Sequence, residues 1–305
     1  MSNAAAVSEG HKHHIEELVK SIRARRSSLD ALAEKLRTPA IQSAFDKWDH
    51  KSWCLAVAGD SIVRIRLFIE QNFNFIETIG LIAVARYIHE LSIWLHLFKR
   101  DPRYGLVYFD QLLETQRRYY QDEKAQLKRE IVLLGLFAKM ESDNLASMLR
   151  KLKEPLDVST LAPALKSVSQ TVDMLASRRF AIYIEDAKTN GYSFQASLVE
   201  TKAIPRVEEA LSNIARERKE FERMVPRYIK DLIPKRWQWR LMAQRVGLVD
   251  EYDYIYSFSS KLLHATPASI TTDQKNLEYA EVRIFLKYIN VKVEEIMLLA
   301  EEYHL

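Results

Sequence analysis

Glycine is scarce in this chain. Its 305 residues include 7 glycines, whereas an average chain of this length has roughly 20. Tight β-hairpins and loops that wrap phosphate groups both depend on glycine. The composition therefore argues against a strand-rich fold and against a phosphate-binding loop, and it predicts an all-α protein with few sharp turns.

Cysteine is nearly absent as well. Because Cys54 is the single cysteine, no internal disulfide can form, which is consistent with a reducing compartment. Residues 1–14 contain no basic segment followed by an apolar run, so a secretory signal is not predicted. We expect a cytoplasmic protein in which Cys54 is a small buried apolar residue.

Long hydrophobic runs are limited to residues 79–98, a stretch long enough to span a bilayer. It contains Arg86, His89, Glu90 and His96, which oppose insertion into a membrane. We therefore expect a buried core helix here and no membrane partner.

Metal-binding patterns are also missing. The sequence has no HExxH and no CxxC motif. His11, His13 and His14 are close together, but no second ligand cluster accompanies them. We predict neither a metal site nor a cofactor.

The charge of the chain is mild overall and uneven along its length. The net charge is +4, too small to indicate nucleic-acid binding by itself. Residues 202–245 have 12 Lys and Arg against 6 Asp and Glu, a local charge of +6. Inside this segment cations alternate with aromatic residues at Lys235, Arg236, Trp237 and Arg240. This pattern is typical of single-strand binders, or of an amphipathic helix with buried tryptophans.

Prolines and caps divide the chain into helices. All 8 prolines fall near plausible helix ends, and Gly191 and Gly247 are good C-terminal stops. Residues 192–203 are ambiguous. The predicted helices cover 13–36, 40–72 with a break near Gly59, 75–99, 105–123, 124–153, 160–189, 206–225, 235–246, 250–264, and a last helix from a cap at 271–273 to about 303.

These elements predict a multi-helix antiparallel bundle. Residues 1–38 form an N-terminal helical extension that docks on the bundle or exchanges with a partner. Residues 39–305 form the main helical domain, with a variable helical insertion at about 120–234.

Arg86 and Glu90 are the first pair of candidate site residues. Four residues apart on a helix, they share a face, and the helical wheel places Ile82 and Ile93 beside them. We expect the sector of the helix that contains His89, Ser92 and His96 to be more exposed to solvent. The pair is either a buried ion pair that fixes the helix register or the polar centre of a pocket.

The second candidate is a row of polar residues on the helix predicted over 250–264. Tyr252, Tyr256, Ser260 and His264 are spaced four apart. A serine beside a histidine can form a nucleophile and base, but no glycine-flanked nucleophile elbow is visible. His264 otherwise hydrogen-bonds carbonyl groups at the helix end, or acts as an acid, a base or a ligand.

Together these residues carry a family resemblance. Trp237, Gly247-Leu248 and the Tyr252 to His264 row, with Arg86-x-x-x-Glu90 and Asp101-Pro102, resemble a bacterial helical family of unknown function. That family is allied to the HEPN superfamily (higher eukaryote and prokaryote nucleotide-binding). The resemblance covers about residues 55–115 and 235–275.

The resemblance implies a HEPN-like antiparallel bundle in which Arg86 and Glu90 approach Ser260 and His264. Many HEPN proteins are dimers and metal-independent ribonucleases of defence or stress responses. Their catalytic mark is an arginine separated from a histidine by four to six residues, and the corresponding positions before His264 are Ser257, Phe258 and Ser259 instead. Catalysis would then require Arg86, which lies on another helix, to stabilise the negative charge of a phosphorane-like intermediate while His264 transfers protons.

Three functions therefore stay open. The first is a homodimer that binds or cleaves RNA. The second is a non-catalytic interaction module with a partner protein, in which the Arg, Glu, Ser and His side chains form a buried network. The third is a pocket for a small ligand or a nucleotide.

Overall fold

The chain is all-α, as its composition predicts. The structure is a computed structural model that describes residues 2–72, 78–151, 158–263 and 277–304. About 87% of it is helical, and the described residues include no strand.

The chain forms two compact units. The first comprises Met1–Gln111 and Met224–Leu305, and the second is Leu112–Arg223. The helices of the first unit are α1 Ser2–Ala24, α2 Arg26–Leu36, α3 Pro39–Ser43, α4 His50–Asn72, α5 Thr78–Arg100, the first turns of α6 Tyr104–Lys151, α11 Arg227–Lys230, α12 Trp239–Arg245, α13 Val249–Leu263 and α14 Tyr279–Glu301, followed by a 3₁₀ turn, Glu302–His304. Those of the second are the rest of α6, α7 Val158–Arg178, α8 Ile184–Asn190, α9 Tyr192–Leu198, a π-helical turn Val199–Ala203 and α10 Ile204–Met224.

Helix α5 is the centre of the first unit. Within it, Gly80–Arg100 is long and apolar enough to cross a membrane, and 67% of its most apolar window is buried in the fold. Helix α13 runs antiparallel to α5, because Arg86 contacts Tyr256 while His89 is close to Tyr252. Helix α14 runs parallel to α5, since its residues contact α5 in ascending order, and this departs from a purely antiparallel bundle.

The N-terminal helices belong to the core of the first unit. Ile15, Val19 and Ile22 recur every three to four residues on α1 and are buried, as expected for one apolar face of a helix. Helix α1 packs along α14, and α2 packs on α4. Helices α1 and α2 therefore pack on other helices of the first unit.

The second unit has a small core of its own. Leu134, Phe137, Val172 and Val207 are fully buried in it. Its range, 112–223, overlaps the segment for which the sequence predicts an insertion at about 120–234.

Several predicted helix boundaries are wrong. Helix α6 is one helix of 48 residues rather than two, because nothing near residue 123 interrupts hydrogen bonding. Helix α4 continues through Gly59, whereas the helix predicted over 13–36 divides at Arg25.

The end of α7 lacks a sequence signal. Helix α7 ends at Arg178 instead of continuing to about residue 189. Phe180 adopts a positive φ of 50°, and the amide of Ala181 donates to the carbonyl of Ala176 at 3.0 Å. Glycine is the usual residue at this position of a helix terminus. The phenylalanine therefore gives no signal in the sequence that the helix ends here.

The two predicted glycine stops are confirmed. Gly191 ends α8 with a φ of 89°. Gly247 follows α12 with a φ of 76°, and the amide of Leu248 closes the terminus on the carbonyl of Ala243 at 2.9 Å.

The starts of α12 and α14 also differ from prediction. Helix α12 begins at Trp239, four residues later than predicted. Helix α14 begins at Tyr279 with a capping box between Glu278 and Glu281. The cap predicted at 271–273 lies outside the described residues.

Candidate functional site

The predicted contact between Arg86 and Glu90 is present. Nε of Arg86 donates to Oε1 of Glu90 at 3.1 Å, one turn apart on α5. The guanidinium lies 4.9 Å from the centre of the Tyr256 ring, at cation–π distance. Both charged side chains are partly exposed, at 33% and 24%. The pair therefore borders solvent instead of being enclosed by the core.

The opposite face of α5 is buried, which corrects the predicted exposure of this helix. His89 and Ser92 are almost fully buried, and His96 is partly buried. Helices α13 and α14 cover this face and supply polar partners, which a helical wheel of α5 alone cannot show. Because buried polar groups are tolerated when they are paired, the interior accommodates these residues.

The tyrosines of the predicted row lie beside Arg86. The rings of Tyr252 and Tyr256 stack with centroids 5.3 Å apart. Burial, followed by the nearby Tyr256, raises the pKa of Tyr252. Tyr252 also approaches His89, with ring centroids 6.1 Å apart. The first half of the row thus joins the Arg86 centre.

The second half of the row extends away from Glu90. Since α13 is antiparallel to α5, Ser260 lies one turn beyond Tyr256 toward the start of α5. The adjacent Ser259 is the fully buried serine, and its hydroxyl donates to the carbonyl of Tyr256 at 3.1 Å. His264 lies outside the described residues, so its contact with Ser260 and a catalytic role for either residue remain predictions.

The predicted aromatic-cationic cluster is split between core and surface. Trp237 stacks on Trp94 with ring centroids 4.2 Å apart, which favours the amphipathic interpretation for this ring. Arg240 donates to both carboxylate oxygens of Asp253, at 2.8 and 2.7 Å. Lys235 and Arg236 are exposed, and within the described ranges neither has an ion-pair partner.

A polar network that the sequence did not reveal connects α5, α13 and α14. Nε2 of His96 lies 2.8 Å from Glu295, whose other oxygen is 2.7 Å from Nζ of Lys292. The same Nζ lies 3.0 Å from Glu251. Helix α14 does contain a signal, because Tyr288, Lys292 and Glu295 recur every three to four residues inside an apolar helix.

Tyr288 and His89 complete this network. The hydroxyl of Tyr288 donates to Oε2 of Glu251 at 3.0 Å. It must then accept from Nδ1 of His89, 2.9 Å away, which places the imidazole proton on Nδ1. Nε2 of His89 is buried and has no hydrogen-bond partner among the residues that the structure describes. The hydrogen bonds therefore fix the tautomer of a histidine that is enclosed in the core.

The network shifts the pKa values of two of its members. Burial alone would lower the pKa of His96, but bonds to Glu295 and to the carbonyl of Ser92 raise it overall. Burial would raise the pKa of Glu251, but His89, Lys292 and Tyr288 lower it to about 2. Paired polar groups of this kind are suited to specifying helix packing.

We expect Glu251 to make stability depend on pH below about pH 5. Because the folded-state pKa is depressed from 4.5 to about 2, its contribution is present above pH 4.5 and is lost as pH falls toward 2. The variant Glu251→Gln should be less stable than the parent at pH 7, and the difference should narrow between pH 5 and 2.5. Urea unfolding at several pH values measures it, with exposed Glu16→Gln as control. A constant difference would contradict the prediction.

A groove adjoins the Arg86 centre through Glu90. It has a volume of about 360 Å³ and lies between α4, α5, α6 and α12. Its lining residues are Val57, Asp60, Ser61, Arg64, Tyr87, Glu90, Leu91, Trp94, Tyr108 and Trp239. Elsewhere, no three His, Cys, Asp or Glu side chains of the described residues are grouped to hold a metal ion.

Comparison with known proteins adds no relative. No protein-family model, no curated protein and no solved structure matches the chain. Functional inference therefore depends on the chemistry of the site.

Proposed function

We propose that the chain binds a small planar ligand with an anionic group, of the nucleotide class, in the groove beside Glu90. The observation that carries this proposal is the lining, which combines four aromatic rings with one unpaired arginine. Aromatic faces accept nucleobases by stacking, and a guanidinium matches the geometry of a phosphate.

Tyr87 is the ring that is best placed to stack on a ligand. It is 39% exposed and is supported edge-on by Phe68, with ring centroids 4.8 Å apart. Trp94 is already covered by Trp237 and therefore forms the back wall. A ligand ring entering the groove would contact Tyr87 first.

Arg64 is the cation available to the ligand. Among the charged lining residues, Asp60 lies 3.5 Å from Arg37, and Glu90 is held by Arg86. Arg64 is exposed and has no hydrogen bond or ion pair in the described part of the chain. The lining therefore presents one uncompensated positive charge, which favours an anionic ligand.

The HEPN-like identity of the bundle belongs to this proposal. It is supported by the antiparallel packing of α5 on α13, which sets Arg86 beside Tyr256. In this proposal Glu90 lines the groove and Arg86 holds Glu90 in place. Catalysis by Arg86, Glu90, Ser260 and His264 is not needed for binding.

Adenosine monophosphate should raise Tm, since a ligand of the native state stabilises it. Arg64→Glu should weaken its binding about tenfold and leave adenosine unaffected, because the arginine contacts only the phosphate. Tyr87→Ala should weaken both ligands about fivefold or more through lost stacking. Calorimetric titration of the three proteins provides the affinities.

The control is Lys287→Glu, which reverses an exposed charge on α14 and should bind both ligands as the parent does. The proposal fails if millimolar nucleotide leaves Tm unchanged, or if Arg64→Glu binds the monophosphate as the parent does. RNA is the competing ligand, and the unpaired Lys235 and Arg236 favour it. A single-stranded oligomer that responds to Lys235→Glu but not to Tyr87→Ala would select RNA.

A further inference from the structure

A second and larger cavity lies in the first unit. Its volume is about 620 Å³, within the range of small-molecule sites. It is lined by α2, α3, α4, the segment between α3 and α4, Pro102 and the C-terminal 3₁₀ turn. It shares only Asp60 with the groove beside Glu90.

The interior of this cavity is apolar. Leu36, Ile41 and Leu55 contribute aliphatic walls. Two of its polar groups are already used, since the thiol of Cys54 donates to the carbonyl of Pro102 at 3.3 Å and the hydroxyl of Tyr303 donates to the carbonyl of Leu95 at 3.3 Å. A ligand inside would find few hydrogen-bond partners, so its body must be apolar.

The wall between α3 and α4 is held in place by local bonds. Nε1 of Trp53 donates to the carbonyl of Lys47 at 2.8 Å. Phe45 contacts the Trp53 ring edge-on, with centroids 5.1 Å apart. Helix α3 starts with a Thr38 cap and Pro39. The cavity is therefore formed before any ligand binds, which reduces the ordering cost of binding.

The charges at the mouth leave one cation unpaired. Arg37 is paired with Asp60 at 3.5 Å, and Glu302 with Lys99 at 2.8 Å. Asp49 accepts backbone amides of Lys51 and Ser52, at 3.2 and 2.9 Å, as a helix cap does. The ammonium of Lys51 is exposed and has no ion pair within the described residues.

We propose that this cavity binds an apolar molecule with a terminal carboxylate, such as a medium-chain fatty acid. The tail fills the aliphatic interior, and the carboxylate lies at the mouth beside Lys51. Charge complementarity selects the anion, because among the described residues Lys51 is the charged lining residue whose side chain has neither a hydrogen bond nor an ion pair, whereas Asp49 is held by backbone amides and lies 3.9 Å from Nδ1 of His50. This site is separate from the proposed nucleotide groove.

Three probes with the same tail test the proposal: decanoate, decanol and decyltrimethylammonium. Calorimetric titration should show the tightest binding for decanoate. Decanol should bind about threefold to fivefold more weakly, the size of an exposed ion pair, and the cation weaker still. Lys51→Glu should reduce decanoate binding to the level of decanol or below and leave decanol unchanged.

Variants that fill the cavity test its position. Ala56 on α4 and Ala44 at the exposed end of α3 both line the cavity. The variants Ala56→Phe and Ala44→Phe should each weaken decanoate binding at least tenfold. The second keeps the test valid if the first unfolds, and circular dichroism identifies that case. Lys20→Glu on the surface of α1 should bind as the parent does. Equal binding of the three probes, no decanoate binding, or parent-like binding by a folded cavity variant would overturn the proposal.

Discussion

Replacing Lys292 by methionine is expected to lower the free energy of unfolding by about 2–4 kcal/mol. The side chain is 7% exposed, and Nζ lies 3.0 Å from Glu251 and 2.7 Å from Glu295. Methionine fills a similar volume but removes the cation that both carboxylates share, so Glu251 loses its lysine and Glu295 keeps only His96. Breaking a fully buried pair costs about 3–5 kcal/mol, and the lower figure applies here because each carboxylate side chain is about one third exposed.

Urea unfolding of matched variants isolates the electrostatic origin of this loss. Adding Glu251→Gln and Glu295→Gln to Lys292→Met removes the carboxylates that have lost their lysine and should recover part of the stability, with the remainder lost because His96 no longer has Glu295 as a partner. Lys287→Met, five residues earlier on an exposed position of the same helix, should change stability by less than about 0.5 kcal/mol. If Lys292→Met behaves like Lys287→Met, or if the triple variant is no more stable than the single one, the network does not stabilise α14 as we infer.

The spacing of residues along the sequence predicted one half of the polar centre, whereas the contacts of the other half depend on how the helices pack. Arg86 and Glu90 are four residues apart, so helix geometry alone predicts their contact. His89 and Tyr288 are separated by 199 residues, and only the packing of α14 along α5 brings them together. The predicted wet face of α5 was wrong for that reason, since the partners of its polar residues are contributed by other helices.

Amino-acid composition predicted the fold class correctly, whereas the sequence pattern placed several helix boundaries wrongly. Scarce glycine indicated all-α structure, and Gly191 and Gly247 gave two helix ends correctly. The end of α7 was not predicted because Phe180 has a positive φ, a conformation that glycine usually adopts and that a sequence therefore usually reveals. The Trp237 pattern suited both a binding surface and a core, and burial against Trp94 decided for the core.

The polar residues of α5 thus divide into two parts with different properties. His89 and His96 bond to residues of α14, and Ser92 is buried beside them. Arg86 and Glu90 border solvent, and Glu90 also lines the groove. Tyr252 lies between the parts, stacked on Tyr256 and near His89. The proposed ligand groove therefore adjoins the exposed part, and the predicted stability effects of Lys292 and Glu251 belong to the enclosed one.

Replacing Gly105 by alanine is expected to destabilise the first unit by about 3 kcal/mol or more, the upper range of overpacking. In most helices this substitution is favourable, because alanine has the higher helix propensity. At Gly105, however, an added Cβ would lie 2.0 Å from the carbonyl oxygen of His50. That neighbour is backbone at the start of α4, so it cannot rotate away as a side chain would.

Gly135 provides the matched control on the same helix. An added Cβ there meets nothing within 4 Å, so Gly135→Ala should raise stability by about 0.5–1 kcal/mol. Thermal and urea unfolding of the two variants should thus shift in opposite directions. If Gly105→Ala were as stable as the parent, the close approach of α6 to α4 would be incorrect. The positions of Pro102 and Cys54 in the larger cavity would then need revision too, since both depend on that approach.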